Sequence, residues 1–448
     1  MAAKLKGRSI RSRSCAKGWI LNPERDETVP IYEIQDRIVL IQCVLLMGFW
    51  YCDTVDRNGP WHWTGVAISL CQTAGLHRQP DSRTISGSHG RYLLWRHLWW
   101  ACVHRDALYS MGLGRPMRIN LDDCDLELPD AGDYCALLAG IPENLQKKYL
   151  PHATEELSRL WVELLRLTVV QAQILSTHYR AKPTCYVDKT SYLQIESQIS
   201  ASYNVLTPLK STAHDIVYYH VCHLELFAKS MLVVLYRPYL LDPTPLNQVS
   251  SLMRRKAQTA ATGFNQVLSS LIAADMIRCC QSMVCVALVP PMQVHLLDST
   301  SNLRLVQSMG VNNLELCMLV VKEIRNTWFG AEVVHRMFRQ ARFLIEKRIS
   351  HQRDEDSHNI DTGEVEATTE VLPDDTEAAG EADPLFDFRS PYTGLEGFFT
   401  RDEYLMSASS LLCSKANVWP SFGMFEVDFE LTSILPTEAV FRESAGTG

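Results

Sequence analysis

Acidic side chains are crowded into one short segment of the sequence. Residues 122–127 read Asp-Asp-Cys-Asp-Leu-Glu, and carboxylates one helical turn apart can hold Mg²⁺ ions against a diphosphate. The third position of that spacing falls on Leu126, and Pro116 and Pro129 on either side predict a loop instead of a helix. We therefore interpret the segment as a solvated acidic loop and rank a metal-dependent helical enzyme as the least favoured function.

Two histidines are the second candidate for chemistry. His220 and His223 are three residues apart, with Cys222 between them and Glu225 nearby. A zinc or di-iron site would need further ligands, such as Glu-x-x-His pairs on facing helices, and none occurs there. We predict that both imidazoles are satisfied within helix packing.

Motifs for nucleophilic catalysis and phosphate binding are missing. No serine lies in a Gly-x-Ser-x-Gly elbow, and Gly112-Leu-Gly114 is a lone Gly-x-Gly without the lysine of a phosphate-binding loop. The sequence therefore predicts a protein that is not an enzyme, with no catalytic residue, no metal site and no cofactor in this chain.

Apolar residues at three- and four-residue spacing predict helices along most of the chain. A first helix is expected from Pro30, and the helix from Arg91 to Tyr109 is apolar almost all round, which predicts a buried central position. Glycines and prolines from 112 to 142 predict a loop-rich connector. Further helices are predicted at residues 63–76, 155–179, 214–236, 252–271 and 314–345. Alternating strands with hairpin turns are not found, so the predicted fold class is all-α.

Charge and composition divide the 448 residues into four parts. Residues 1–18 carry six basic and no acidic side chains, whereas residues 353–383 carry twelve acidic side chains and one arginine. An acidic segment almost without aromatics cannot bury enough surface to offset its ordering entropy, so it predicts disorder. The predicted parts are a basic, disordered head at 1–29, a large helical domain at 30–346, a disordered acidic linker at 347–383 and an acidic, aromatic tail at 384–448.

The tail alternates acidic residues with bulky apolar ones, most clearly from Trp419 to Phe429. This alternation is typical of amphipathic activation segments. The alternative is a tail that packs onto the body, and composition does not decide between the two.

The cysteines and the apolar runs indicate a soluble, intracellular protein. Fourteen cysteines occur without a C-x-x-C pair or a regular spacing, which argues against a disulfide framework. The basic head is not followed by an apolar signal segment, and the longest near-apolar run, residues 38–52, is too short to span a bilayer. We expect neither secretion nor a membrane partner.

Tryptophans are concentrated in the predicted central helix. Trp95, Trp99 and Trp100 lie there beside Arg91 and Arg96, a combination that can stack on the bases of single-stranded nucleic acid. The remaining positions of the helix are mostly apolar, however, so we predict that the indoles belong to the core.

Two stretches of the sequence carry a family resemblance. Residues 61–78 read WHWTGVAISLCQTAGLHR, and residues 91–119 read RYLLWRHLWWACVHRDALYSMGLGRPMRI. They resemble, in order and spacing, the middle domain of fungal zinc-cluster transcription regulators, most closely the cutinase-gene regulator subgroup. The matching positions are Gly75, Leu76, His77, Arg78, Arg96, Trp99, Trp100, Asp106, Gly114, Arg115, Pro116 and Ile119, followed by Arg237 and Pro238 within Leu235-Tyr-Arg-Pro-Tyr-Leu240.

The residue types at these positions suit a scaffold role rather than a reaction. Arg78, Arg96, Arg105, Asp106 and Arg115 lie among aromatics, and buried charges of this kind must be paired and hydrogen-bonded. We predict a polar network that fixes helix packing. Small-molecule binding between the helices is the alternative. Ala107 stands where many members carry arginine, so that member of the network is not expected here.

The resemblance also implies a function. We expect a nuclear regulator of transcription for a metabolic or secondary-metabolite gene set, whose partners are the transcription machinery or a related regulator, with homo- or heterodimers left open. The family reads DNA with six cysteines that hold two zinc ions, but before residue 43 the sequence has only Cys15. DNA contact would then need an upstream cluster or a partner. The alternative is a co-regulator that does not bind DNA and pairs with a full-length relative.

Overall fold

The computed structural model describes residues 19–22, 27–30, 36–49, 59–81, 89–179, 189–212, 215–240 and 248–361. Twelve α-helices account for most of these residues, which confirms the all-α prediction. They are α1 (Arg37–Met47), α2 (Pro60–Thr73), α3 (His89–Leu113), α4 (Ala131–Ala139), α5 (Glu143–Tyr149), α6 (Thr154–His178), α7 (Lys189–Thr212), α8 (Asp215–Tyr236), α9 (Gln248–Ala273), α10 (Met283–Asp298), α11 (Arg304–Ile324) and α12 (Phe329–Asp361). The predicted tail and most of the acidic linker lie outside the described residues.

A short antiparallel strand pair precedes the helices. β1 (Trp19–Asn22) pairs with β2 (Glu27–Pro30), and Trp19 lies opposite Pro30. The pair differs from our expectation of a disordered head and of a helix starting at Pro30, because the apolar start of β1 favours a strand. The first helix is instead capped by Asp36, whose carboxylate accepts the backbone N–H two residues ahead at 2.8 Å.

The loop-rich connector predicted from 112 to 142 contains a helix. Asp130 and Asp133 form a capping box, in which each carboxylate accepts the backbone N–H of the other residue, and α4 begins directly after Asp130. A second helix, α5, follows the proline at 142. Residues 114–130 remain irregular apart from a 3₁₀ turn at Leu121–Asp123. We call residues 114–130 the anchored loop.

The helix predicted at residues 314–345 is two helices. α11 ends at Ile324, and α12 begins at Phe329 after a turn in which the Trp328 indole donates to the Cys280 carbonyl at 2.7 Å. α12 then continues to Asp361, beyond residue 346, because residues 347–361 contain no proline or glycine to end it. None of the described helices combines the length and apolarity needed to cross a membrane.

The buried apolar side chains form two clusters. The N-terminal cluster joins α1, α2, the first half of α3 and the anchored loop, and it includes Ile41, Cys71 and Trp99. The C-terminal cluster joins α7 to α12 around α8 and includes Phe227 and Phe338. Helices α3 and α6 supply side chains to both clusters. The family-like motif lies mostly in the N-terminal cluster.

Candidate functional site

Two glycines of the motif end the helices that carry it. Gly75 has φ +73° and follows α2, and the bonds Leu76 N–H to Cys71 carbonyl (2.9 Å) and Gly75 N–H to Gln72 carbonyl (3.0 Å) form a Schellman cap. Gly114 has φ +64° and follows α3. A residue with a side chain would be strained at either position. The cap buries Leu76 in the N-terminal cluster.

Gly114 turns the chain from α3 into the anchored loop. The Arg115 N–H donates to the Ser110 carbonyl at 3.1 Å across this turn, and Pro116 prevents continuation of the helix. The Ser110 hydroxyl also lies 3.4 Å from the Pro116 carbonyl. The Gly-Arg-Pro block therefore reverses the chain so that it runs back along α3.

Asp106 holds the start of the anchored loop. One oxygen of this fully buried carboxylate accepts the backbone N–H groups of Arg118 and Ile119, both at 2.8 Å. Burial raises the pKa of Asp106 to about 6, against the lowering effect of these two bonds. The sequence predicted a charged partner for Asp106. The structure instead gives it backbone amides, with the charge of Arg118 nearby.

Arg96 holds the other end of the anchored loop. Its guanidinium donates to the Glu127 carbonyl at 2.9 Å, to the Leu128 carbonyl, and to the Asp133 carboxylate at 2.9 Å. The same loop therefore depends on one planar, five-donor side chain that a lysine cannot imitate.

The two motif tryptophans lie beneath the anchored loop. Trp99 is 1% exposed and donates its indole N–H to the Cys124 sulfur at 3.1 Å, whereas Trp100 donates to the Glu127 carbonyl at 3.0 Å. The His77 ring packs against Trp99 with centroids 5.6 Å apart. Both indoles belong to the core, as the sequence predicted.

The acidic segment of the loop serves as an anchor. Asp125 accepts the Gln79 N–H at 2.7 Å and lies 3.2 Å from the Arg78 guanidinium, and these contacts lower the pKa of its carboxyl. Asp122 and Asp123 form part of the 3₁₀ turn. Within the described ranges, no three His, Cys, Asp or Glu side chains converge as metal ligands.

Sequence reasoning missed an aromatic–cation contact beside the loop. The Arg118 guanidinium lies 3.1 Å from the centre of the Trp61 ring, and that of Arg115 lies 4.4 Å from it. Gly65 makes room, because a Cβ there would lie 2.9 Å from the Arg118 side chain. Arg118 is visible in the sequence as the arginine of Met-Arg-Ile directly after Gly-Arg-Pro. Its contact with Trp61 could not be predicted, because only the fold places α2 beside it.

Arg105 ties α3 to the end of α1. It donates to the Leu45 carbonyl, its guanidinium lies 4.0 Å from the centre of the Phe49 ring, and burial lowers the pKa of Arg105. Ala107, two residues further along α3, is fully buried, and its carbonyl accepts from Gln171 of α6 at 3.3 Å. Here α3 packs against α6 with no room for an arginine.

The second motif block lies in the C-terminal cluster, far along the chain from the first. Arg237 is 9% exposed at the end of α8, burial lowers its pKa, and it interacts with Tyr179. Pro238 occupies the first turn of the following 3₁₀ helix. This block therefore packs α8 against α6 and does not join the anchored loop.

The two histidines of α8 support packing. The His223 ring lies 2.8 Å from the Tyr219 carbonyl through Nδ1, and its Nε2 accepts the Gln281 N–H at 3.3 Å. Burial lowers the pKa of His223 to about 4, so the ring is neutral at pH 7. The imidazole links α8 to the segment before α10, and nothing in this arrangement performs a reaction.

Comparison with known proteins agrees with the motif. Residues 31–203 match the family model described as the fungal specific transcription factor domain. The matched segment is therefore similar to a fungal specific transcription factor domain. None of the solved structures gives a significant match.

Several curated proteins are similar to this chain. Cutinase transcription factor 1 beta of Fusarium vanettenii is 26% identical over 337 residues, which cover 66% of this chain and 38% of that protein. Cutinase transcription factor 1 alpha of the same organism is 26% identical, with 68% and 33% covered. The acetamidase regulatory protein of Aspergillus fumigatus is 32% identical over 124 residues, with 27% and 15% covered.

The aligned part of the chain thus spans only 38% and 33% of the length of the two cutinase factors. The family and these relatives are transcription regulators and not enzymes, in agreement with the prediction from the sequence. The scaffold role of the motif residues stays a prediction, which the variants in the Discussion test.

Proposed function

We propose that this protein is a nuclear transcription regulator whose helical domain is its regulatory module. The observation that carries the proposal is the family match over residues 31–203, within which motif residues of α3 fix one irregular loop by hydrogen bonds to its backbone. Such an arrangement supports a rigid platform for contact and regulation, and it lacks the convergent acid, base or nucleophile that catalysis needs.

The target genes belong to metabolism under this proposal. Two of the relatives are named for cutinase and one for acetamidase, so each printed name couples regulation to a metabolic enzyme. Deletion of the gene followed by RNA sequencing tests this point. We expect a coherent set of metabolic transcripts to change, and a change restricted to unrelated transcripts contradicts it.

The acidic, aromatic tail contacts the transcription machinery in this scheme. Residues 384–448 fused to a foreign DNA-binding domain are expected to raise reporter output. Phe425→Ala with Phe429→Ala should lower that output, whereas the control pair Thr432→Ala with Ser433→Ala should not. No output from the fusion would favour the alternative in which the tail packs onto the body.

DNA contact is proposed to come from a zinc cluster outside this chain. Mapping the 5′ end of the native transcript tests the proposal directly. An upstream exon with six cysteines at cluster spacing supports a regulator that binds DNA itself. A start immediately before Met1 supports the second candidate, a co-regulator that pairs with a full-length relative, which co-immunoprecipitation would then identify.

A further inference from the structure

A cavity of about 80 Å³ lies where the two clusters meet. Its walls are the end of α1 with the adjoining Phe49, the end of α3, the start of α10 and the start of α12. The first two walls belong to the family-matched segment, and the last two lie beyond residue 203. A molecule in this cavity would touch both halves of the domain.

The lining of the cavity is apolar. Among the described residues that line it, none has a charged side chain, and the hydroxyls of Tyr109 and Ser282 are the main polar groups. The Tyr109 hydroxyl faces the Gly48 carbonyl at 3.4 Å. The apolar lining includes Leu108, Val289, Trp328, Val334 and Met337. A lining of this kind favours a ligand that carries no charge.

Glycines set the shape of the cavity. A Cβ at Gly112 would lie 2.9 Å from a methyl of Val286, so this glycine lets α3 approach α10 closely. At Gly330, in the first turn of α12, a Cβ would lie 3.8 Å from the Cβ of Cys285, which is ordinary contact. A larger residue would therefore fit at Gly330, would favour the helix and would fill space.

Glycine at position 330 therefore forgoes two stabilising effects, namely the higher helix propensity of a larger residue and the filling of empty space. Positions that break local rules in this way are concentrated at functional sites. The cation of Arg105, next to Gly48, makes a positively charged ligand unfavourable as well. Size gives a further limit, since a dry apolar cavity of about 150 Å³ holds benzene, and this cavity is roughly half as large.

We propose that this cavity binds a small, uncharged, mainly hydrocarbon molecule of about three or four non-hydrogen atoms. The bound molecule packs against Trp328, the end of α3 and the start of α10, and it strengthens the contact between the N-terminal and C-terminal clusters. The site goes beyond the regulatory role proposed above, because binding and regulation are measured separately. If the two are coupled, the molecule is an effector of the domain.

Dibromomethane is a suitable probe, because it is neutral, has three non-hydrogen atoms and quenches indole fluorescence through its heavy atoms. Titration of the full chain should quench part of the tryptophan emission saturably at millimolar concentrations or below. The same additions should raise the Tm by about 1–2 °C near three times the Kd.

Two matched variants identify the cavity as the binding site. Gly330→Leu should fill it, abolish the saturable quenching and raise the Tm of the free protein, so loss of binding cannot be attributed to unfolding. Gly90→Leu makes the same substitution at an exposed glycine with open space around it and should leave binding unchanged. Trp328→Phe should lose most of the quenching but keep the Tm shift.

Saturable quenching that Gly330→Leu retains would overturn the proposal, because the probe would then bind elsewhere. Absence of saturable quenching and of a Tm shift in the unchanged protein would also overturn it. Neither outcome affects the proposed role in transcription.

Discussion

The N-terminal and C-terminal clusters are stabilised in different ways. Around the anchored loop, Asp106, Arg96 and Trp100 are hydrogen-bonded to backbone groups of a segment that has little secondary structure of its own. In the C-terminal cluster, long helices pack mainly through interchangeable apolar side chains around Phe227 and Phe264. The first region depends on specific partners and the second on buried volume.

This difference explains why the family motif is easiest to recognise in the N-terminal cluster. A bidentate guanidinium or a buried carboxylate requires one residue type at one position, whereas apolar contacts tolerate exchanges that keep volume and pattern. The block motif is accordingly dense between residues 75 and 119, and the family match ends at residue 203, before the C-terminal cluster is complete.

The largest expected effect is that of Trp99→Ala. Loss of this core indole should lower the free energy of unfolding by about 3–5 kcal/mol, as should Phe338→Ala in the C-terminal cluster. Chemical denaturation measures both. Hydrogen exchange then separates them, because only the Trp99 variant should release the amides of residues 120–128. A near-neutral Trp99→Ala would show that α3 is misplaced.

Asp106→Ala should cost somewhat less, about 2–4 kcal/mol, because two buried backbone N–H groups lose their acceptor. Asp106→Asn keeps an acceptor oxygen and should cost about 1 kcal/mol or less. Denaturation of both variants, with hydrogen exchange at Arg118 and Ile119, measures the difference. If both variants lost the same free energy of unfolding, the site would require the negative charge of the carboxylate and not its hydrogen-bond acceptor.

Acid should destabilise both clusters through their buried histidines. Burial lowers the pKa of five imidazoles to about 4, namely His97, His104, His178, His223 and His295. Their contribution is complete above the ordinary pKa of 6.5 and is lost as the pH falls through about 4, since the unfolded chain binds protons first. Asp106, whose pKa is raised to about 6, opposes this trend as a single group.

His97→Phe tests the pH dependence. Its Nδ1 is buried without a hydrogen-bond partner among the described residues, and the ring packs against Tyr134 and Trp161. The variant should reduce the slope of stability against pH between 6.5 and 4 by up to about 1.4 kcal/mol per pH unit. Denaturation at several pH values measures this slope, and an unchanged slope would refute the assignment.

The smallest expected effect is that of Arg78→Ala. Its ion pair with Asp125 is exposed on both sides, so solvent screens the attraction. Thermal unfolding should not change beyond error, in contrast to Arg96→Ala, which removes two hydrogen bonds to the anchored loop and one to Asp133 of α4. If both variants are equally unstable, the exposed end of the loop is as important as the buried end.

Most of the fold followed from apolar periodicity, and its failures have local causes. α10 was not predicted because Pro290 and Pro291 lie inside it, and prolines normally end helices. α4 was hidden by the surrounding glycines and prolines, although its capping box was present in the sequence. The break between α11 and α12 carries no proline signal.

The motif positions could be predicted from the sequence, but their partners could not. Asp106 and Arg96 bind backbone groups, which every residue possesses, so no residue type marks the acceptor or donor. The cavity was equally hidden, because it depends on how Gly112 and Gly330 are brought against α10. Partners of this kind are set by topology and not by composition.

Because α3 and α6 take part in both clusters, the family-matched segment is not an autonomous folding unit. Excision of residues 31–203 would remove the later helices of the C-terminal cluster. It would thereby expose Leu108 and Met111 on α3 and Leu167 and Ile174 on α6. A frameshift after residue 203 would then remove more than the later helices. It would leave an aggregation-prone remnant, so early and late truncations of this gene would give the same null phenotype.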